Sequence, residues 1–355
     1  MPIIKHHAIR HFREVFHWSS DEQGAGADII IAALGMAVPV LLGLLCGHEA
    51  AGFAAALGSF AINRTEIGAA IGIRDSIGRQ IESLGIIGLA TIIAMTLAGH
   101  GGFSLVTLVV VAVSAAVIGG FSRKLAITTT RFIVFLMLVS AAPHLSWQGG
   151  ADPLLMIVLG ALWTAGLGLG WAWFISPRGQ PPQGTITPPP LLSTSQRLTH
   201  FRRSLRRLTG WSYPLRLGAC LAVSTVLQWV WPHHHLHWIS LTIVLLLSRR
   251  PESGAVKTTQ RTLGTGIGVL LAGFLLRAPL PASALVIMIG VLAGARSHLK
   301  QRNYLAYAVV MTPLVVLIID AGQPAGWALL TDRLVATVIG GLLVTCADLT
   351  LSPRA

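Results

Sequence analysis

Charge is scarce in this sequence. Only 11% of its 355 residues are Asp, Glu, Lys or Arg, against roughly 25% in ordinary soluble domains. Acids are scarcest, at 13 against 26 Lys and Arg. A soluble fold of this length could not hide 53% hydrophobic residues in long unbroken runs, and the mean hydropathy is +0.70. Cysteine is scarce too. Cys46, Cys220 and Cys346 lie far apart, inside or beside apolar runs, which excludes a disulfide framework and cysteine-based metal spacing. No Gly-rich loop leads from a strand into a helix, and no nucleophile–base pairing stands out. The sequence therefore indicates no enzyme and no cofactor.

What is present is apolar length. Runs fall near 28–46, 50–62, 84–98, 103–120, 127–142 and 153–175, then near 213–231, 237–247, 262–277, 280–294, 304–319 and 327–350. About 20 apolar residues span a bilayer core, with shorter runs completed by polar ends. The fold class expected is an all-α integral membrane protein with about 12 transmembrane helices. The net charge of +13 does not argue for nucleic acid. The basic residues form short clusters between apolar runs, the pattern that membrane topology produces. Lipid is the expected partner.

The runs divide the chain into an N-terminal amphipathic elbow (1–27), a first six-helix repeat (28–178), a Pro-rich linker with a basic elbow helix (179–212), and a second six-helix repeat (213–355). Pro181, Pro182 and Pro188 to Pro190 exclude a helix across the start of that linker. With the N-terminus cytoplasmic and loops alternating, only Arg277 and Arg333 of the 26 Lys and Arg fall outside. Both termini are therefore expected in the cytoplasm, at the cell inner membrane.

The two sets read as one repeat. His11-Phe12-Arg13 recurs as His200-Phe201-Arg202, and Arg79 as Arg261. Asp152, Leu154, Val158 and Gly160 recur as Asp332, Leu334, Val338 and Gly340, and Ser176-Pro177-Arg178 as Ser352-Pro353-Arg354. Matches in order at a fixed offset indicate an internal repeat. An even number of helices per half makes the halves parallel. Each half opens with an amphipathic stretch. Leu198, Phe201, Leu205 and Leu208 face away from Arg202, Arg203, Arg206 and Arg207, as in a helix lying in the inner interface.

Arg261-x-x-Gly264-Thr265-x-x-Gly268 opens an apolar run. Trp238 and Arg249-Arg250-Pro251 lie upstream; Arg302-Asn303-Tyr304, Thr312, Asp332-Arg333 and Gly340 lie downstream. Over about 211–351 this resembles the fusaric acid resistance family, also called the aromatic acid exporter family, and more remotely the aluminium-activated malate channels. Over 28–178 the match is weaker, with Glu82 in place of the first motif glycine. The resemblance implies export of small organic acids, often aromatic carboxylates, driven by the proton gradient.

Passage of a carboxylate needs positive charge or helix N-termini along a water-filled path. Ionisable groups in membrane spans are costly and mark function by default. Arg79 and Arg261 begin the third helix of each half, and Arg64 and Arg249 follow the second. The second helices are short, and short spans in matching positions point to a binding site. On the fifth helices, Tyr304 and Tyr307 match Phe132 and Phe135, each pair sharing one face. Arg64, Arg79, Arg249, Arg261, Tyr304 and Tyr307 are the substrate-binding candidates. The path is placed between the halves, near the inner ends of the second, third and fifth helices. The competing reading makes the arginines interfacial anchors and the tyrosines packing residues.

Glu82, Asp320 and Asp348 are the candidates for proton coupling. Asp152 before Pro153 reads as a helix cap. His233, His234, His235 and His237 read as a solvated outer loop, since no carboxylate or cysteine lies near them in sequence. The leading reading is a secondary exporter of small organic anions. A passive anion channel of the same fold is the alternative. A third reading is a non-transporting membrane subunit that binds a periplasmic adaptor, and it predicts a close-packed interior without a polar path. A homodimer is compatible with each.

Overall fold

The computed structural model describes residues 13–19, 25–62, 73–142, 152–175, 194–206, 210–249, 254–275, 281–319 and 327–351. Arg64 and Asp320 lie outside them, as do His11, Phe12 and both copies of the Ser-Pro-Arg repeat. From Ala25 the chain forms α1 (Ala25–Leu45), α2 (Glu49–Ala61), α3 (Ile73–Leu97), α4 (Gly101–Ile118), α5 (Arg123–Ser140) and α6 (Pro153–Ile175). The elbow helix α7 (Thr194–Arg206) follows. Then come α8 (Ser212–Val230), α9 (His237–Leu246), α10 (Gly254–Leu275), α11 (Ala282–Arg302), α12 (Tyr304–Ile319) and α13 (Trp327–Leu351).

Helix starts are set by local chemistry. Ser122 Oγ accepts from Leu125 N at 3.2 Å, and Asn303 Oδ1 from Ala306 N at 2.9 Å, capping α5 and α12. Asp152 Oδ1 accepts from Leu154 N at 2.9 Å, so this residue caps α6 ahead of Pro153, as its sequence predicts.

Six helices, α1, α3, α4, α6, α11 and α13, are long and apolar enough to cross a membrane. The bundle exposes apolar stripes at helical spacing, such as Leu263, Ile267, Leu270 and Phe274 on α10 and Val335, Val338 and Leu342 on α13. Water would not tolerate so many such stripes on one surface, whereas lipid solvates them. The chain is a multi-pass membrane protein. The shorter α2, α5, α9 and α12 hold much of the core, including Leu57, Ile133, Leu136, Ile239, Ile243 and Leu314. A helix shielded by protein does not need a length matched to lipid.

Helix pairing repeats along the chain. In the first set α1 packs on α2 and α6, α2 on α6, α3 on α5 and α6, and α4 on α5. In the second, α8 packs on α9 and α13, α9 on α13, α10 on α12 and α13, and α11 on α12. Across the sets α1 meets α11 as α8 meets α4, and α2 meets α12 as α9 meets α5.

Glycines allow the closest crossings. A Cβ on Gly58 would meet the Ile157 carbonyl and one on Gly160 the Ala55 carbonyl, so α2 and α6 touch backbone to backbone. Ser59 Oγ donates to Gly160 O there at 2.9 Å. On α10, a Cβ on Gly264 would lie 2.6 Å from Ala308 Cβ, and one on Gly268 2.6 Å from Thr312 Cβ. The motif glycines thus seat α10 against α12.

Three helices extend further than the apolar runs suggest. The run at 84–98 becomes Ile73–Leu97, that at 262–277 begins at Gly254, and that at 280–294 continues to Arg302. Arg79, Glu82, Arg261 and Arg296 therefore sit within helices. The two ends of the bundle differ. At one, Phe201 of α7 meets Phe121 edge to face, ring centroids 5.6 Å apart. Residues 13–19 are tied there too: Gln260 Nε2 donates to Val15 O at 2.9 Å, Asn303 Nδ2 to His17 O at 3.1 Å, and Ser19 N to Arg302 O at 2.9 Å. We call this the basic end. The other carries the turn before α9, with His233 to His235, and is the histidine end.

Candidate anion site between the halves

A cavity of about 430 Å³ lies where the two sets of helices meet. Phe60 of α2, Ser83 and Ile87 of α3, and Arg131 and Phe135 of α5 line it from the first set. Lys257 and Arg261 of α10, Arg296 and Lys300 of α11, Tyr304 and Tyr307 of α12, and Arg333 of α13 line it from the second. Second, third and fifth helices of both sets meet here, as do the fourth and sixth of the second set through Arg296, Lys300 and Arg333. Six basic residues line the cavity, and no carboxylate does among the described residues.

The lining is aromatic as well as basic. Tyr304 and Tyr307 stack with ring centroids 5.7 Å apart and planes at 26°. Lys257 Nζ lies 5.6 Å from the Tyr304 ring centre. The Arg296 guanidinium lies 4.2 Å from the Phe60 ring centre, and that of Arg333 3.9 Å from the Trp238 ring centre. Aromatic faces stabilise cations in a poorly hydrated place, but they carry no compensating charge. Arg261 is 5% exposed and Arg296 9%. The Nε of each is buried without a hydrogen-bond partner.

Among the sequence candidates, Arg261, Tyr304 and Tyr307 come together here. Arg79 lies part-buried on α3, one turn before the lining residue Ser83, and is not itself part of the lining. Arg249 also lies elsewhere. Its Nη2 donates to Ala116 O at 3.0 Å at the end of α4, and its guanidinium covers the Tyr213 ring at 4.5 Å. Burial lowers its pKa from the ordinary value. This arginine ties the α4–α8 seam, satisfying a carbonyl left over at a helix C-terminus.

The two acidic candidates among the described residues, Glu82 and Asp348, are held by basic or hydroxyl partners. Glu82 accepts from Thr128 Oγ1 at 3.1 Å and pairs with Lys124 at 2.8 Å, tying α3 to α5 where a motif glycine would stand. Asp348 pairs with Arg216, which is 1% exposed and also donates from Nε to Ser212 O at 3.2 Å. Reasoning from sequence missed Arg216, because one arginine inside an apolar run shows nothing of its partner 132 residues on.

It also missed Lys257, Arg296 and Arg333. For Arg296, the first charge after an apolar stretch looks in sequence like its end. On a helix it can equally be a side chain turned inward. The spacing Arg296–Lys300, one helical turn, was the available signal.

At the histidine end a second cavity of about 940 Å³ opens between α3–α5 and α8–α9, lined in part by Ser140, Gln228, His234, His237 and Ser240. Neighbouring residues of α5 and α9 face different cavities. Leu138 and Leu241 face the basic one, Val139, Ser140 and Ser240 the other. Asp332, remote in sequence, supplies the histidine cluster with a carboxylate. It accepts from His235 N at 3.0 Å and lies 2.9 Å from His234 Nδ1 and 3.1 Å from His235 Nδ1.

Fold and cavity together define a polytopic helical membrane protein with a cationic, aromatic chamber between two similarly packed sets of helices. Residues 221–347 match the family model described as fusaric acid resistance protein-like, which supports the resemblance carried by Arg261, Gly264 and Gly268. No curated protein and no solved structure gives a significant match.

Proposed function

We propose that this protein is a secondary exporter of small organic anions, chiefly aromatic carboxylates, coupled to the proton gradient. The observation that carries the reading is the chamber itself: buried Arg261 and Arg296 beside Tyr304, Tyr307 and Phe60, with no lining carboxylate among the described residues. A guanidinium holds a carboxylate by two parallel hydrogen bonds and keeps its charge at any physiological pH. Aromatic side chains offer a π-face to a substrate ring. A close-packed, non-transporting subunit would have little use for such a chamber, and the chain's own residues suggest no chemistry on the substrate.

The proposal includes architecture and orientation. Twelve helices, α1 to α6 and α8 to α13, form two parallel six-helix repeats about a pseudo-two-fold axis along the membrane normal. The recurrence of helix pairings supports this. Both termini and α7 face the cytoplasm in an inner membrane, so the basic end is the entry side and the histidine end the exit. That two cavities are lined by neighbouring residues of α5 and α9 favours alternating access over an open anion channel. In an exporter, α5 and α9 would shift so that the chamber exchanges one opening for the other.

Flux of radiolabelled aromatic acids in proteoliposomes tests the function. Accumulation that requires an imposed pH gradient supports the exporter. Flux that only follows the substrate gradient would favour the channel, and absence of flux would remove transport from the account.

A further inference from the structure

The number of charges in the chamber bears on its substrate. We infer that the site is built for an aromatic anion bearing at least two negative charges, and that a monocarboxylate is a poor fit. The inference rests on the exporter reading and narrows its substrate class.

The reasoning is electrostatic. Arg261 and Arg296 are both more than nine-tenths buried, both face the chamber, and the Nε of each is buried without a hydrogen-bond partner. Lys257 on the same wall rests against the Tyr304 ring. Removing a charge from water without a counter-charge is costly, and attraction to a partner offsets that cost only with good geometry. Elsewhere the fold meets this demand, since buried Arg216 has Asp348. Among the described residues no carboxylate lines the chamber beside Arg261 and Arg296, and a single monoanion would compensate one guanidinium while leaving the other bare. A dianion compensates both.

The shape agrees. The tyrosine pair on α12 and Phe60 on α2 offer aromatic surface, and about 430 Å³ leaves ample room for one benzene ring with two carboxylates. Binding by two guanidiniums from different helices, α10 and α11, also couples substrate to the relative position of those helices.

Purified wild-type protein in proteoliposomes is assayed at neutral pH with benzoate and with the three benzenedicarboxylates. At least one dicarboxylate is expected to have kcat/KM about tenfold above benzoate, a difference of about 1.4 kcal/mol. Removing one charge should narrow the gap: R296Q should cut the ratio of dicarboxylate to benzoate kcat/KM about tenfold, converting to the same 1.4 kcal/mol for the lost pair. If R296Q does not give a monodisperse protein, K257Q at the part-buried end of the same wall is expected to narrow the preference in the same direction. Benzoate transported as well as every dicarboxylate by the wild type would overturn the charge count and leave the exporter standing. A preference unchanged in a folded R296Q or K257Q protein would overturn it as well. No transport of any of the four acids would overturn both readings.

Discussion

Arg216 on α8 and Asp348 on α13 form a buried ion pair, with Arg216 1% exposed. The pair joins the first and last helices of the second set, and Arg216 Nη2 also points to Ser248 O at the end of α9, 3.4 Å away. Breaking such a pair leaves a buried charge bare, which typically costs about 3–5 kcal/mol. Asp348→Asn should therefore sharply lower the thermal unfolding midpoint in detergent. Arg216→Met combined with Asp348→Leu should recover most of the loss. Equal losses in the single and double variants would show that the pair is not what holds the seam.

The motif glycines make a sharper packing prediction. Gly264→Ala places a methyl 2.6 Å from Ala308 Cβ and 2.8 Å from Leu305 O, whereas the nearest atom to a Cβ on Gly266 is Leu334 Cδ1 at 3.8 Å. Overpacking costs about 1–3 kcal/mol, while Gly to Ala in an unhindered helix gains about 0.5–1 kcal/mol. Thermal unfolding should rank Gly266→Ala above wild type and Gly264→Ala below. The reverse order would mean that α10 does not touch α12 through this face.

At the histidine end Asp332 anchors the turn before α9 through His234 and His235. In Asp332→Ala the amides of 233–236 should exchange with deuterium about tenfold faster or more, as expected where a local opening loses its anchoring hydrogen bonds. Those of α12, which does not share the contact, should not change. Unaltered exchange at His235 would contradict the arrangement.

Orientation can be read from native cysteines. Cys46 is exposed in the turn between α1 and α2, and Cys220 is buried. With both termini cytoplasmic, a membrane-impermeant maleimide added outside intact cells should label Cys46. Labelling only after lysis would invert the topology.

Much of the scaffold is legible in the sequence because bilayer thickness and helix rise constrain apolar length. The capping Asp152 and the proline at 153 marked a helix start that the structure reproduces. The chamber was legible in part. Arg261, Tyr304 and Tyr307 were placed together on their repeat positions, yet Arg249, with the same charge and a similar place in its half, became a tie to α4. Sequence does not record which way a side chain points, and one helical residue turns the chain by about 100°. Arg296 was lost for the related reason that a charge on the inner face of a long helix looks like the end of an apolar run. The pairing of His234 and His235 with Asp332 spans nearly a hundred residues, and no local pattern announces it.

The central claim is that the chamber around Arg261 binds the transported carboxylate, and one comparison tests it directly. Aromatic-acid flux is measured in proteoliposomes for wild type, Arg261→Ala, Arg261→Lys and Arg206→Ala, each shown to be folded. Losing a charge-assisted hydrogen bond costs about 1.5–3 kcal/mol, so Arg261→Ala should reduce kcat/KM on the order of tenfold to a hundredfold. Arg261→Lys should recover part of that loss, since a point charge replaces the planar fork. Arg206→Ala, on the elbow helix, should stay close to wild type. Wild-type flux through a folded Arg261→Ala protein would make this arginine a structural residue and contradict the assignment of the chamber as the binding site.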